Sequence, residues 1–212
     1  MTQPINLVAI QLVSTPNIDD NFTQIIQQLE FASLDWDMAL PALVVLPECF
    51  AYFGGRDSSA LTLLDQQVQT QLVDRLASLA KNYKIWLIAG SIPTPSPNPK
   101  KMHATALCFD PQGHIVGTYH KTHLFDVDIK DATGSYRESD STVAGTQPLV
   151  IETDFGRIGV CICYDLRFST LFNAMVKDNP IDYLVVPAAF TKETGQAHWH
   201  HLLAARAIEY QC

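Results

Sequence analysis

Three polar residues interrupt apolar runs in a way that could build a covalent hydrolytic site. Glu48 follows the run ALVVLP, Lys121 follows HIVGTYH, and Cys163 closes RIGVCIC. A carboxylate, an ammonium and a thiol brought together have a natural division of labour. The thiol becomes a competent nucleophile only when it loses its proton, which a nearby cation favours. Lys121 could supply that charge and then stabilise the oxyanion of a tetrahedral intermediate. Glu48 could take the thiol proton, deliver it to a leaving amine, and activate water against the resulting thioester. Such a set cleaves an amide or a nitrile without a metal. Each residue also has a structural alternative: a surface loop charge for Glu48, an ordinary lysine for Lys121, core filling for Cys163.

The elements around them must place all three at one edge of a sheet. Short runs rich in Val and Ile alternate with helical patterns, which predicts an α/β layered fold. Strands are expected at Ile5–Val13, Ala42–Leu46, Ile85–Gly90, Ala104–Phe109, His114–His120, Arg157–Cys163 and Tyr183–Pro187. Helices are expected from Ile18 to Phe31, around Val68–Ala80, over Ser169–Lys177, and over Gln196–Tyr210 with Trp199, Leu202, Leu203 and Ile208 on its apolar side. Asp110–Gly113 has the chemistry of a hairpin turn. The proline-rich stretch 94–101 is expected to be surface loop, and 126–147 a long polar loop of functional length. In α/β sheets the crevice forms at the carboxyl ends of strands, where Glu48, Lys121 and Cys163 all fall.

Composition bounds the alternatives. The 212 residues are 47% hydrophobic and 17% charged, which suits one domain with a sizeable core. A net charge of −8 argues against a nucleic-acid partner, and no polybasic run suits an anionic membrane. The N-terminal MTQPINLVAIQLV lacks the basic residues of a signal peptide, so a cytoplasmic location with reduced cysteines is expected. The five cysteines lack CxxC pairing, and the His198, His200, His201 cluster lacks zinc spacing.

The segments VVLPECF, YHKTHLFDVDI and GVCICYDLRF closely resemble the three signature segments of the nitrilase superfamily of carbon–nitrogen hydrolases. AGSIP (89–93), FDPQGHIVG (109–117), YRESDSTVAG (136–145) and the segment 197–212 extend the resemblance over nearly the whole chain. It implies an α-β-β-α sandwich, formed as one domain over 1–212 and normally dimerised through the helices that follow the nucleophile. It also implies Glu48 as general base and acid, Lys121 as stabiliser, Cys163 as nucleophile, and Glu138 as a second glutamate near it. The Tyr164 N–H would share the oxyanion hole with Lys121. Cys161, Cys49 and Cys108 are then packing residues. No cofactor or metal is implied.

HLFDVDI, ESDSTVAG and AHW resemble the Nit branch, whose members are amidases of small acids bearing a terminal amide. PECFAYFGGRD and ARAIEYQC are closer to the deaminated glutathione amidases than to the omega-amidases, and both groups imply an anionic substrate. Arg167 and Arg206 are the local cations for it, with a structural pair of Arg167 with Asp165 or another carboxylate as the alternative. Two departures stand out. Met102-His103-Ala104-Thr105 replaces a Tyr-Asn-Thr of the family, and the family continues with strands beyond the segment ending at Cys212. An unpaired sheet edge is therefore expected, with a catalytically silent binding module as the rival reading.

Overall fold

In β2 (Ala42–Val45) successive side chains point to opposite faces of the sheet, and that alternation sets the layering. Leu43 faces a second sheet, whereas Val44 faces helices. The computed structural model describes residues 3–54, 61–128 and 134–212. Its larger sheet has the order β1 (Asn6–Ala9), β2, β3 (Trp86–Pro95), β4 (Met102–Phe109), β5 (Ile115–His120). The first three strands run parallel, and β4 and β5 are antiparallel additions.

Helices α1 (Ile18–Ser33) and α2 (Gln66–Tyr83) cover one face, burying Phe22, Ile25, Leu29, Leu72 and Leu76 against Val44, Leu46 and Leu87. Asn17 and Asp65 cap their N-termini, each side chain accepting two backbone N–H bonds that the helix leaves unmade. On the other face Leu43, Ile88, Ala106 and Cys108 meet Ile151, Ile158 and Val160 of a second sheet. That sheet has the order β10 (Tyr183–Val185), β9 (Gly156–Val160), β8 (Leu149–Thr153). Leu171, Phe172 and Met175 of α3 (Ser169–Met175) and the half-buried Trp199, Leu202 and Leu203 of α4 (Lys192–Tyr210) belong to the same cluster. The result is the α-β-β-α sandwich. No helix among the described residues is long and apolar enough to cross a membrane.

Several boundaries differ from the sequence reading. β1 stops at Ala9 because only four of its residues pair with β2. β3 runs on through Thr94 and Pro95, which pair with His103 and Met102. The prolines are tolerated because β2 pairs only with Trp86–Ile88, so the far half of β3 has β4 alone beside it. Within 126–147 lie a small hairpin, β6 (Asp126–Asp128) with β7 (Ser135–Arg137), and a 3-10 turn, Glu138–Asp140. Residues 129–133 of that stretch fall outside the described residues. β9 ends at Val160, three residues before Cys163. Ile208 is 78% exposed and does not join the packed side of α4. β10 has only β9 beside it among the described residues.

Candidate active site

Glu48 leaves β2 through a tight crossing over β3. A Cβ on Gly90 would lie 1.7 Å from the Pro47 carbonyl oxygen, so only glycine admits the crossing. The next residue, Cys49, sits at φ +55° and donates its N–H to Ser91 Oγ at 3.0 Å. Glu48 itself is held at both oxygens. Oε1 accepts from Lys121 Nζ at 2.8 Å, and Oε2 accepts from the Ala189 N–H at 2.8 Å.

Lys121 follows β5, and its backbone is fixed on both sides. Its N–H donates to Ala104 O at 2.9 Å, and its carbonyl accepts from the Gly145 N–H at 2.8 Å. Gly145 is another close approach, since a Cβ there would meet His120 O at 2.2 Å. The ammonium is buried between two carboxylates, donating also to Glu138 Oε1 and Oε2 at 3.0 and 2.8 Å. Glu138 is in turn held by the Phe125 N–H at 2.7 Å.

Cys163 opens a 3-10 turn at φ +49°, a strained conformation for a residue with a side chain. Its N–H donates to Pro187 O at 2.8 Å, so the chain leaving β10 fixes the turn. The same chain supplies Ala189, whose N–H faces both the Cys163 thiol and Glu48.

The electrostatics follow from this packing. Burial pushes the Cys163 thiol well above its ordinary value and the Glu48 charge adds to it, while Lys121 and the Ala189 N–H pull it down. The carboxylate beside this thiol is Glu48. For Lys121, burial opposes the charge, but Glu48 and Glu138 outweigh it and hold the ammonium well above its usual pKa. Burial and the Glu48 charge raise the Glu138 carboxyl, against the pull of Lys121.

All three groups open into one cavity of about 520 Å³, with Glu138, Tyr164 and Arg167 also in its wall. The remaining lining mixes aromatic side chains, among them Tyr52, Phe53, Phe125 and Phe190, with serine and threonine hydroxyls and with Arg137, which pairs with Asp128. The predicted site residues Glu48, Lys121, Cys163, Glu138, Tyr164 and Arg167 are therefore all brought together. Met102 and Ala104 of the Met102–Thr105 departure also line the cavity, while His103 stacks on His120 at 4.2 Å.

Three expectations are corrected. Arg167 does not pair with Asp165. Its guanidinium lies 3.3 Å from His198 Nδ1, over Tyr164 and Phe190, and its buried Nε has no hydrogen-bond partner. Arg206 is outside the cavity, where it donates to Leu166 O and Glu209. Cys49 lines the cavity instead of packing only in the core, although burial pushes its thiol up to about 12. Cys161 and Cys108 are fully buried, as expected.

Sequence reasoning missed two contributors. The Ala189 N–H carries no side-chain signal. Asp165 is fully buried and contacts the segment around Lys121, and its position inside the YDLRF stretch was the available clue. No cluster of three or more His, Cys, Asp or Glu residues suited to a metal is found among the described residues.

Comparison with known proteins agrees with the geometry. The family model described as carbon-nitrogen hydrolase matches residues 20–212. The deaminated glutathione amidase of Yersinia enterocolitica is 40% identical over 208 residues, 98% of this chain and 70% of that protein. The omega-amidase NIT3 of Saccharomyces cerevisiae is 35% identical over 171 residues, 80% of this chain and 58% of that one. Among solved structures, the C. elegans NitFhit protein superposes with a TM-score of 0.84 at 33% identity, covering 97% of this chain and 49% of that one. A cysteine, a lysine and two carboxylates in one cavity, on this sandwich and with these relatives, identify the chain as a member of the carbon–nitrogen hydrolase family, the nitrilase superfamily.

Proposed function

We propose that the protein hydrolyses the terminal amide of a small anionic acid of the deaminated glutathione type, through a thioester on Cys163. The observation that carries this reading is the single cavity in which Glu48, Lys121 and Cys163 meet a cation, Arg167, that has no carboxylate partner among the described residues.

The steps follow from the contacts. Cys163 Sγ attacks the amide carbon as its proton passes to Glu48. The oxyanion is held by Lys121 Nζ and by the Tyr164 N–H, which lies in the first part of the 3-10 turn, where backbone donors have no partner within the turn. Glu48 returns the proton to the nitrogen, and ammonia leaves a thioester behind. Glu48 then deprotonates water, which attacks the thioester, and the thiol leaves with the proton from Glu48. Glu138 keeps Lys121 aimed throughout. Arg167, with its desolvated Nε and its stacking on Tyr164 and Phe190, binds the substrate carboxylate.

Hydrolysis of alpha-keto acid amides is the second reading, favoured by the similarity to the yeast omega-amidase. The enzyme works as one domain in the cytoplasm, as a homodimer joined through α3 and α4, with no nucleic-acid or membrane partner. Ammonia release from deaminated glutathione, alpha-ketoglutaramate, neutral amides and an aliphatic nitrile tests the assignment. Release from deaminated glutathione that disappears in Cys163→Ala, and that Arg167→Ala weakens more than release from neutral amides, is the expected result. Preference for alpha-ketoglutaramate selects the second reading. No release from any of them by the folded protein rejects both.

A further inference from the structure

Asp165 lies two residues beyond Cys163, is fully buried, and has an unusual set of donors. Its Oδ2 accepts from Tyr119 Oη at 2.7 Å and from the Ile162 N–H at 3.0 Å. Its Oδ1 accepts from Thr122 Oγ1 at 2.9 Å and from His123, at both N–H and Nδ1, at 2.8 Å. Only the Ile162 contact is local, of the kind that closes any short turn. The others come from a segment more than forty residues earlier, and they fall on both sides of Lys121.

We propose that Asp165 is a positioning residue that fixes Lys121 relative to Cys163, by joining the nucleophile turn to Tyr119, Thr122 and His123. The inference rests on the roles given to Cys163 and Lys121 above. A carboxylate suits the task because the Ile162 and His123 N–H groups, one at each oxygen, can only donate, and an ionised carboxylate accepts at both oxygens without donating. A second link closes the same loop. The His123 ring stacks on Phe168 at 3.9 Å and 5°, directly after the 3-10 turn. The lysine segment is thus held to the cysteine turn at its carboxylate and at its end. Glu48 and Glu138 hold the ammonium itself, whereas Asp165 holds the backbone that carries it.

The test uses Asp165→Asn, which keeps the shape but turns two donor hydrogens toward groups that are themselves donors, and Thr122→Val, which removes one donor and leaves the carboxylate. The readouts are kcat and KM for the amide that the wild type hydrolyses, thermal melting, and the pH profile of iodoacetamide alkylation at Cys163, followed by peptide mass. Misplacement by about 1 Å costs on the order of 100-fold in rate. For Asp165→Asn the expected result is a kcat lowered about that much with KM within about threefold, and an alkylation profile moved to higher pH as the thiolate loses the pull of Lys121. Thr122→Val should move both in the same direction and by less. If Asp165→Asn does not fold, the profile of Thr122→Val decides alone. Wild-type kcat and profile in folded Asp165→Asn, or lowered melting with a wild-type profile in either folded variant, overturns the inference. Failure of the underlying reading looks different, because the wild type itself would then release no ammonia through Cys163.

Discussion

Glu48 and Lys121 form a buried ion pair, Oε1 to Nζ at 2.8 Å, with their side chains only 7% and 2% exposed. In the proposed mechanism the pair unites the group that receives the thiol proton with the group that meets the oxyanion. Breaking such a pair leaves one charge buried alone, which is costly. Here the second carboxylate, Glu138, also pairs with the ammonium, and in the proposed mechanism it keeps Lys121 compensated while Glu48 exchanges protons. That is a reason for two glutamates at one lysine.

The two partners act on the thiol with opposite sign, which gives the first prediction. Glu48 raises the Cys163 thiol and Lys121 lowers it. At a fixed mildly alkaline pH, Glu48→Gln should therefore be alkylated by iodoacetamide faster at Cys163 than wild type. Lys121→Met should be alkylated more slowly. A change of one pKa unit corresponds to about tenfold in thiolate population, so shifts of about three- to tenfold are expected. Changes of the same sign in both variants would contradict the electrostatic account.

Gly90 carries the second prediction. With the Pro47 carbonyl oxygen 1.7 Å from the position of an added Cβ, Gly90→Ala must push apart β3 and the loop bearing Glu48. Overpacking of this kind costs about 3 kcal/mol or more when backbone must move. Chemical denaturation should show that loss, and the folded variant should lose hydrolysis because Glu48 is displaced. An alanine variant with wild-type stability would mean that the crossing is not close.

Part of the layering was legible because it follows periodicity. Phe22, Ile25 and Leu29 form a stripe at the 3.6-residue repeat, and the unbroken apolar run Ala42–Leu46 marks a strand covered on both faces, whereas the pairing of two sheets came from the family resemblance. Glu48, Lys121 and Cys163 stood out because each follows or closes an apolar run, while their proposed roles came from the resemblance; the three share one cavity. What escaped was set by long-range packing. Asp165 reads as a partner for nearby Arg167, but the donors that claim it lie on the segment around Lys121. The Ala189 N–H is invisible in side-chain terms. Pro95 argued for a loop because a proline in a strand is allowed only where one neighbour is missing, and that depends on where β2 ends.

The buried thiols give the third prediction, in stability against pH. Burial pushes Cys108 up to about 12 from an ordinary value of 9.0. A folded pKa above the unfolded one means that the fold retains the proton longer. Its contribution is whole below the unfolded value and is lost as pH rises toward the folded one. Between about pH 9 and 12 each such thiol should remove about 1.4 kcal/mol of stability per pH unit. Denaturation of wild type and Cys108→Ala across that range should show a slope shallower by about this amount in the variant. Equal slopes would mean that the buried thiol does not titrate with folding.

The central claim is that an acyl group passes through Cys163. The most direct measurement is rapid acid quenching of the enzyme during turnover of the amide it hydrolyses, followed by peptide mass. The account predicts an adduct on the Cys163 peptide equal to the substrate mass less ammonia, absent from Cys163→Ala, which also releases no ammonia. Ammonia release at the wild-type rate from folded Cys163→Ala, or an acyl adduct on Cys49 in place of Cys163, would contradict it.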